Sequence, residues 1–179
     1  MDPERAPVAA LDPEGFPACV LAGDAVSLKL FVAGTPVPKG RPRTRVRQPK
    51  TPGAKAFAQI YTPHDTVGWE DMVIVQVRQQ LTGLLLDHPE LAQVELPLSG
   101  PAMLFMRFNL PRPKSLPKKV RYPMKSKTDW DNLAKSVQDA LQAGGLIEND
   151  CMVIDGAASK RFAEPGHPIG VEIDLTVLP

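Results

Sequence analysis

The sequence predicts an α+β domain in which two helices pack on one side of a small mixed β-sheet. Four segments show the alternation and the β-branched and aromatic side chains of strands, and two others repeat apolar residues at helical spacing. These segments follow one another in the order β–α–β–α–β–β. Because 43% of the 179 residues are hydrophobic, the chain can bury one core, and residues 26–179 are expected to form a single domain.

The first half of the chain contains one predicted strand and one long predicted helix. Residues 1–25 are rich in proline and acidic residues and show little periodicity, which predicts a disordered tail. A strand over Val26–Ala33 is followed by a loop over residues 34–63, which contain six prolines. Apolar residues at three- and four-residue spacing then predict a helix from His64 to about Asp87. Its core-facing side chains are expected to be Val67, Val73, Ile74, Val77, Leu81, Leu84 and Leu85.

The second half supplies the second helix and three more strands. A strand over Ala102–Asn109 leads into a basic loop over residues 110–127 that is interrupted by prolines. A helix is predicted over residues 129–143, with one apolar stripe and an opposite polar face. Two further strands, Cys151–Phe162 and Ile169–Val177, complete the sheet.

Lysine and arginine are concentrated in two segments that contain no acidic residue. Residues 39–50 carry six and residues 112–127 carry seven, which together make 13 of the 21 basic side chains. The rest of the chain has 8 basic residues against 20 acidic ones, although the formal net charge is only +1. One such run is equally typical of a solvated loop, but two favour a face that binds nucleic acid. The candidate DNA contacts here are Lys39, Arg41, Arg43, Arg45, Arg47, Lys118, Lys119, Arg121, Lys125 and Lys127.

The cysteine content and the hydropathy pattern predict a cytoplasmic protein, and DNA binding would associate it with the nucleoid. Cys19 and Cys151 are the only cysteines, so they form neither a disulfide framework nor a paired metal-ligand motif. No apolar run approaches the roughly 18 residues of a membrane span, and the first residues lack the basic and apolar regions of a leader. We therefore expect no association with a membrane.

Carboxylates cluster where the second basic segment meets the second predicted helix. Asp129 and Asp131 lie two residues apart there, and Asp150 follows that helix after a glycine turn. Oxygen ligands beside basic residues suit a divalent cation and a phosphodiester together. Asp129 and Asp131 point the same way if the backbone at Asp129 is extended, but about 160° apart if the helix already includes it.

Ordinary structural roles also account for parts of this pattern. Thr128 and Asp131 have the spacing of a helix capping box, and Asp131, Lys135 and Asp139 have the spacing of four-apart salt pairs. Asn149-Asp150 is also a common turn signal. The residues alone leave open whether Asp150 reaches the other two carboxylates within one chain or from a second chain.

The ordered set of motifs resembles RusA-type Holliday junction resolvases over roughly residues 28–177. In the second half, the resemblance rests on Asp129-Trp130-Asp131-Asn132-Leu133, Lys135, Asp139-Ala140-Leu141, Gly144, Glu148-Asn149-Asp150, Val153 and Lys160. In the first half, it rests on Pro38-Lys39-Gly40-Arg41-Pro42-Arg43, Tyr61-Thr62-Pro63 and Trp69-Glu70.

The resemblance implies a RusA-like α+β homodimer that binds four-way junction DNA and nicks two opposing strands symmetrically, in DNA recombination and repair. It implies that Asp129, Asp131 and Asp150 hold Mg²⁺, with Mn²⁺ as the alternative ion. It further implies that Lys135 is catalytic and that Lys160 joins the DNA contacts. Asn149 stands where the family often has aspartate, which removes one charge near the metal. Two alternatives are a junction-binding protein that has lost cleavage and a metal nuclease that acts on flaps or other branched DNA.

Overall fold

The described part of the chain forms a five-stranded sheet, a separate two-stranded ribbon and two helices. The structure is a computed structural model that describes residues 18–22, 25–47, 55, 57–117, 119–124 and 128–179. The strands are β1 Ala18–Ala22, β2 Ala25–Ala33, β3 Arg43–Arg47, β4 Phe57–Tyr61, β5 Ala102–Leu110, β6 Val153–Phe162 and β7 Gly170–Val177. The helices are α1 His64–Asp87 and α2 Trp130–Ala143, with 3₁₀ turns at Pro89–Gln93 and Asp150–Met152.

The five-stranded sheet is mixed, which confirms the predicted α+β class. Its strand order is β1-β2-β7-β5-β6, and all neighbours are antiparallel except the parallel pair β5 and β6. The parallel pair requires a crossover, and α2 lies within that crossover. The strand order therefore brings α2 and its polar face to the β5–β6 side of the sheet.

One face of the sheet is apolar and packs against the helices. Alternate residues of β2, β5 and β7 are buried in register, for example Leu30 opposite Ile173 and Phe108 opposite Val171. From α2, Leu133 and Val137 join the same core at 0% exposure, as the apolar stripe predicts. Full burial of such side chains stabilises the fold by about 1.5–3 kcal/mol each.

Helix α1 has the predicted bounds but buries a slightly different stripe. Val73, Val77 and Leu84 are buried as expected, and Trp69 is buried with them. The predicted core positions Val67 and Leu85 are wrong, because they are 41% and 39% exposed. Trp69 has a larger apolar surface to bury, and it lies four residues before Val73 on the same line of the helix. No helix in the described part of the chain is long and apolar enough to cross a membrane.

The edge of β2 is covered by a strand and by two glutamine side chains. The tail predicted over residues 1–25 is wrong for Ala18–Ala22, an uncharged run that forms β1 and pairs antiparallel with β2. Residues 1–17 and 23–24 lie outside the described residues. Beyond β1, Gln80 pairs with both backbone groups of Phe31 at 2.8 and 3.1 Å, and Gln76 pairs likewise with Ala33. These amides replace a neighbouring strand and satisfy the open edge.

The segment predicted as a loop over residues 34–63 contains the two-stranded ribbon. In it, β3 and β4 pair antiparallel, with Arg43 opposite Tyr61 and Arg45 opposite Gln59. The sequence of β3 alternates arginine with threonine and valine, which has the period of a strand. The prediction was wrong because prolines surround two strands of only five residues each.

Candidate active site

The N-terminus of α2 presents two exposed carboxylates whose side chains bond to no other described residue. The backbone of Asp129 is extended, with φ −71° and ψ 137°, and the helix begins at Trp130. The side chains of Asp129 and Asp131 are therefore not held about 160° apart, as they would be if both belonged to the helix. The N-cap residue is Asp129 rather than Thr128, and the side chain of Asp129 makes no cap hydrogen bond. Since both carboxylates are exposed at the positive end of the helix dipole, they are available to a cation or another ligand.

Asp150 reaches the polar face of α2 from the same chain. It opens the 3₁₀ turn after α2, and its carboxylate forms an ion pair with the ammonium of Lys135. The backbone N–H of Asp150 also donates to the side-chain oxygen of Gln142 at 3.2 Å. Lys135 lies one turn after Asp131 on the same helix face. Within one chain, the turn thus brings the third aspartate next to the lysine that follows Asp131.

Asn149 has a local structural role in the turn that presents Asp150. Its side-chain oxygen accepts a hydrogen bond from the N–H of Cys151 at 3.0 Å and so caps the 3₁₀ turn. Asparagine and aspartate serve equally well as such caps. Asparagine in place of aspartate at this position therefore preserves the cap and carries one negative charge fewer.

A row of alternating charges extends from Asp150 across the two helices. Lys135 bonds Asp139 at 2.9 Å as well as Asp150, and Lys39 bonds Asp139 at 2.8 Å and Glu70 at 2.7 Å. The row connects the 3₁₀ turn, α2, the segment after β2, and α1. The backbone N–H of Lys39 also donates to the carbonyl of Asn132 at 2.8 Å, which fixes this segment against the start of α2. The charge row therefore holds Lys135 between two carboxylates.

The charge row shifts the pKa values of its central members. Burial alone would raise the pKa of Asp139, but hydrogen bonds and charges from Lys39 and Lys135 outweigh it and lower that pKa. Burial opposes the charge of Lys39, yet Asp139 and Glu70 raise its pKa overall. Hydrogen bonds to Asp150 and Asp139 raise the pKa of Lys135. Lys39, Lys135 and Asp139 are therefore all charged at neutral pH.

The aspartates suit a hard cation in chemical type but do not form a closed cluster in this conformation. Carboxylate oxygens are the ligands that Mg²⁺ prefers. Among the described residues, no three Asp, Glu, His or Cys side chains are close enough to hold a metal ion as a group. Asp150 is paired with Lys135, while the carboxylates of Asp129 and Asp131 make no hydrogen bond or ion pair with any described residue.

The predicted DNA contacts fall into four groups in the structure. Five are exposed: Arg41, Arg43, Arg45, Lys119 and Arg121. Lys39 instead uses its ammonium in the charge row, and Lys160 donates to the backbone carbonyl of Thr128, next to Asp129. Arg47 belongs to β3 by its backbone. Lys118, Lys125 and Lys127 lie outside the described residues.

Sequence reasoning did not find the roles of Glu70 and Lys39. The four-apart spacing predicts the ion pair between Lys135 and Asp139 on α2, and the structure confirms that pair. Nothing in the local sequence links Lys39 to Asp139, because their contact depends on how the segment after β2 packs against α2.

Comparison with known proteins identifies the family of this site. The sequence model described as "Endodeoxyribonuclease RusA" matches residues 33–175, which include every member of the charge row and all three candidate ligands. The chain belongs to this family. It is an endodeoxyribonuclease, an enzyme that hydrolyses DNA internally.

A curated relative supports the same assignment. The protein is 24% identical over 146 residues to the crossover junction endodeoxyribonuclease RusA of Aquifex aeolicus (strain VF5). The match covers 82% of this chain and 90% of that protein. The similarity thus extends over almost the whole relative rather than over one motif.

Proposed function

We propose that this RusA-family nuclease resolves four-way DNA junctions by paired symmetric nicks, in DNA recombination and repair. The observation that supports the proposal most is the meeting of Asp150 with Lys135 on the helix face of Asp131, within a single chain. Exposed carboxylates near a lysine, on a chain that also exposes several arginines, suit phosphodiester hydrolysis. The named activity of the Aquifex relative, a crossover junction endodeoxyribonuclease, agrees with this substrate.

Asp129, Asp131 and Asp150 would hold Mg²⁺, or Mn²⁺ in its place. The bound ion would supply an activated water and neutralise charge on the scissile phosphate. Lys135 acts as a point charge on the phosphate or the leaving oxygen. Lys135 bonds both Asp139 and Asp150. Asp139 would therefore keep the Lys135 ammonium on the helix face when Asp150 turns to the metal ion. Lys160 fixes the backbone before Asp129 through the carbonyl of Thr128.

The ribbon and the second basic segment bind the arms of the junction through phosphate contacts. Arg43 and Arg45 alternate along β3, which places them on one face of the ribbon. Both are exposed, as are Arg41, Lys119 and Arg121. Contacts of this kind recognise DNA by shape and make the affinity depend strongly on salt.

Two nicks require two active sites, which a two-fold symmetric homodimer supplies. Helix α1 exposes apolar side chains that a partner can cover. Met72, Val75 and Leu86 are 41%, 52% and 77% exposed, and they lie along one side of the helix. This stripe is the proposed dimer contact.

A cleavage assay on three substrates tests the proposal. Labelled four-way junction, flap and plain duplex are incubated with the protein in Mg²⁺ or in EDTA. We expect paired symmetric nicks in the junction only, in Mg²⁺ only, and no nicks with Asp131→Asn, which should still bind the junction. Asp155→Asn, at an exposed aspartate on β6, is the matched control and should cleave normally.

Other outcomes of this assay identify the alternatives. Equal cleavage of flap and junction would favour a general branched-DNA nuclease. Junction binding without cleavage by the unaltered protein would indicate a binding protein. Loss of both binding and cleavage in Asp131→Asn would assign that residue a structural role at the start of α2.

A further inference from the structure

An apolar groove of about 440 Å³ lies beside the candidate active site. Its walls come from the segment after β5, from β6 and from the residues just after β2. Leu116 and Val120 pack against the core and form one wall, and Phe162 forms part of the floor. The size is that of a small-molecule pocket rather than of a surface for a folded domain.

Arg112 braces the segment that forms one wall of the groove, and its guanidinium is engaged within the protein. Its guanidinium donates to the carbonyls of Pro117 and Val120 at 3.1 and 2.7 Å. It also lies over the ring of Phe162, 5.3 Å from the ring centre. The N–H of Phe162 donates in turn to the carbonyl of Arg121 at 2.9 Å. These bonds tie the irregular segment to β6 and so fix one wall of the groove.

The mouth of the groove exposes apolar side chains that the fold does not bury. Tyr122 is 63% exposed and Met124 is 88% exposed, and both line the groove. An aromatic ring and a thioether in the same groove offer flat and adaptable surfaces for stacking. Because both side chains line one apolar groove, they belong to a continuous apolar surface, and such surfaces mark ligand sites more often than single exposed side chains do.

The position of the groove indicates what fills it. Thr128 lines the groove and directly precedes the candidate metal ligand Asp129. Exposed Lys119 and Arg121 flank Val120, which is in the wall, so the rim is positively charged. A DNA strand with its scissile phosphate at Asp129 therefore has a neighbouring nucleotide next to the groove. The phosphate of this nucleotide can pair with the basic rim, and its base can contact the aromatic and apolar walls.

We propose that the groove receives one unstacked nucleobase of the cleaved strand, adjacent to the scissile phosphate. This inference rests on the proposed function, because it requires DNA at the candidate active site. Base stacking on Tyr122 offsets the cost of removing a base from the stack. That cost is lowest where stacking is already interrupted, as at a branch point. The groove then selects the position of the cut, while the arginines bind without reading sequence.

Fluorescent and abasic junctions test the proposal with the full chain. 2-Aminopurine is placed in turn at each nucleotide around the cut, and binding is measured in EDTA, so that no cleavage occurs. We expect a large fluorescence change at one or two positions beside the scissile phosphate only. An abasic nucleotide at that position should weaken binding at least about fivefold, as expected for the loss of one stacked base.

Two groove variants and one control separate this effect from general DNA binding. Tyr122→Ala removes the stacking ring, and Thr35→Phe fills the groove from an exposed lining position. In both variants the positional fluorescence change should disappear, and the abasic nucleotide should cost no further affinity. Ile154→Ala removes a side chain that is 65% exposed and lies outside the groove, and it should behave as the unaltered protein.

Several results would overturn the inference. They are a fluorescence change spread evenly over all positions, or an abasic penalty that persists in Tyr122→Ala. A change of oligomeric state in either variant by light scattering would show that a second copy of the chain fills the groove instead. If the junction is cleaved without any positional effect, the proposed function stands and this inference fails. If the unaltered protein neither binds nor cleaves junctions, both fail.

Discussion

Replacing Lys39 with methionine removes the cation that lies between Glu70 on α1 and Asp139 on α2. Methionine retains the length of the side chain but leaves the two carboxylates facing each other without a charge between them. The Lys39 side chain is 30% exposed, and those of Glu70 and Asp139 are 18% and 25% exposed. We expect lower stability, because the two partly buried carboxylates lose the ammonium that they share while the cost of their desolvation remains.

The expected loss of stability lies between the values for exposed and for buried ion pairs. Exposed ion pairs contribute about 0–1 kcal/mol, whereas breaking a buried pair costs about 3–5 kcal/mol. An intermediate burial gives about 1–3 kcal/mol for Lys39→Met. At this chain length each 1 kcal/mol lowers the Tm by roughly 2–4 °C.

The direction of each pKa shift determines how the stability lost in Lys39→Met depends on pH. The pKa of Asp139 is lowered in the folded state, so its contribution is present above its unfolded pKa and is lost as the pH falls through the folded value. The pKa of Lys39 is raised, so its contribution is complete below its unfolded pKa and is lost as the pH rises through the folded value. The difference between the two proteins should therefore be largest between about pH 5 and pH 10.

Urea unfolding of both proteins between pH 3 and pH 7 measures this difference. Lys119→Met is the control, because it alters an exposed lysine outside the charge row and should change stability by less than about 0.5 kcal/mol. The reasoning is refuted if Lys39→Met matches the unaltered protein at pH 7. It is also refuted if the loss at pH 7 persists undiminished at the lowest pH.

Three further predictions concern the ribbon, the other face of the sheet and assembly. Replacing Arg43 and Arg45 with glutamine should lower the log–log slope of junction affinity against salt by about 0.9 for each lost phosphate contact; an unchanged slope would make the ribbon a solvated hairpin. Glu172→Ala should cost about 3 kcal/mol or more in urea unfolding, because it leaves the partly buried Arg107, 3.0 Å away, without its carboxylate; a neutral result would mean that water replaces the pair. Leu86→Glu should reduce the mass found by light scattering from two chains to one of 19.5 kDa; a persistent dimer would exclude α1 as the contact.

The regular core of this fold was predictable because each element has a clear period. The apolar repeat sets both bounds of α1, and alternation sets β2 and β5 to within one residue. The ribbon and β1 were missed because strands of five residues next to prolines or to a polar tail show too few repeats. Such short strands form because a neighbour pairs with them.

The candidate site was predictable in composition but not in arrangement. The spacing of Asp129 and Asp131 and the matching motif identified the carboxylates. By contrast, the contact of Lys135 with Asp150 depends on the turn after α2, which returns the chain to the same helix face. Lys39 was predicted to contact phosphate, yet it contacts two carboxylates, because a sequence records the charge of a side chain and not its neighbours.

The most direct test of the catalytic proposal compares two aspartates in neighbouring positions of the chain. Asp150 is paired with Lys135, whereas the side chain of Asp155 bonds the N–H of Gly156 on β6. The measurement is the nicking rate of a saturated four-way junction in Mg²⁺ for the unaltered protein, Asp150→Asn and Asp155→Asn. We expect Asp155→Asn to nick at the normal rate and Asp150→Asn to bind the junction but not to nick it. Normal nicking by Asp150→Asn would contradict the proposed active site.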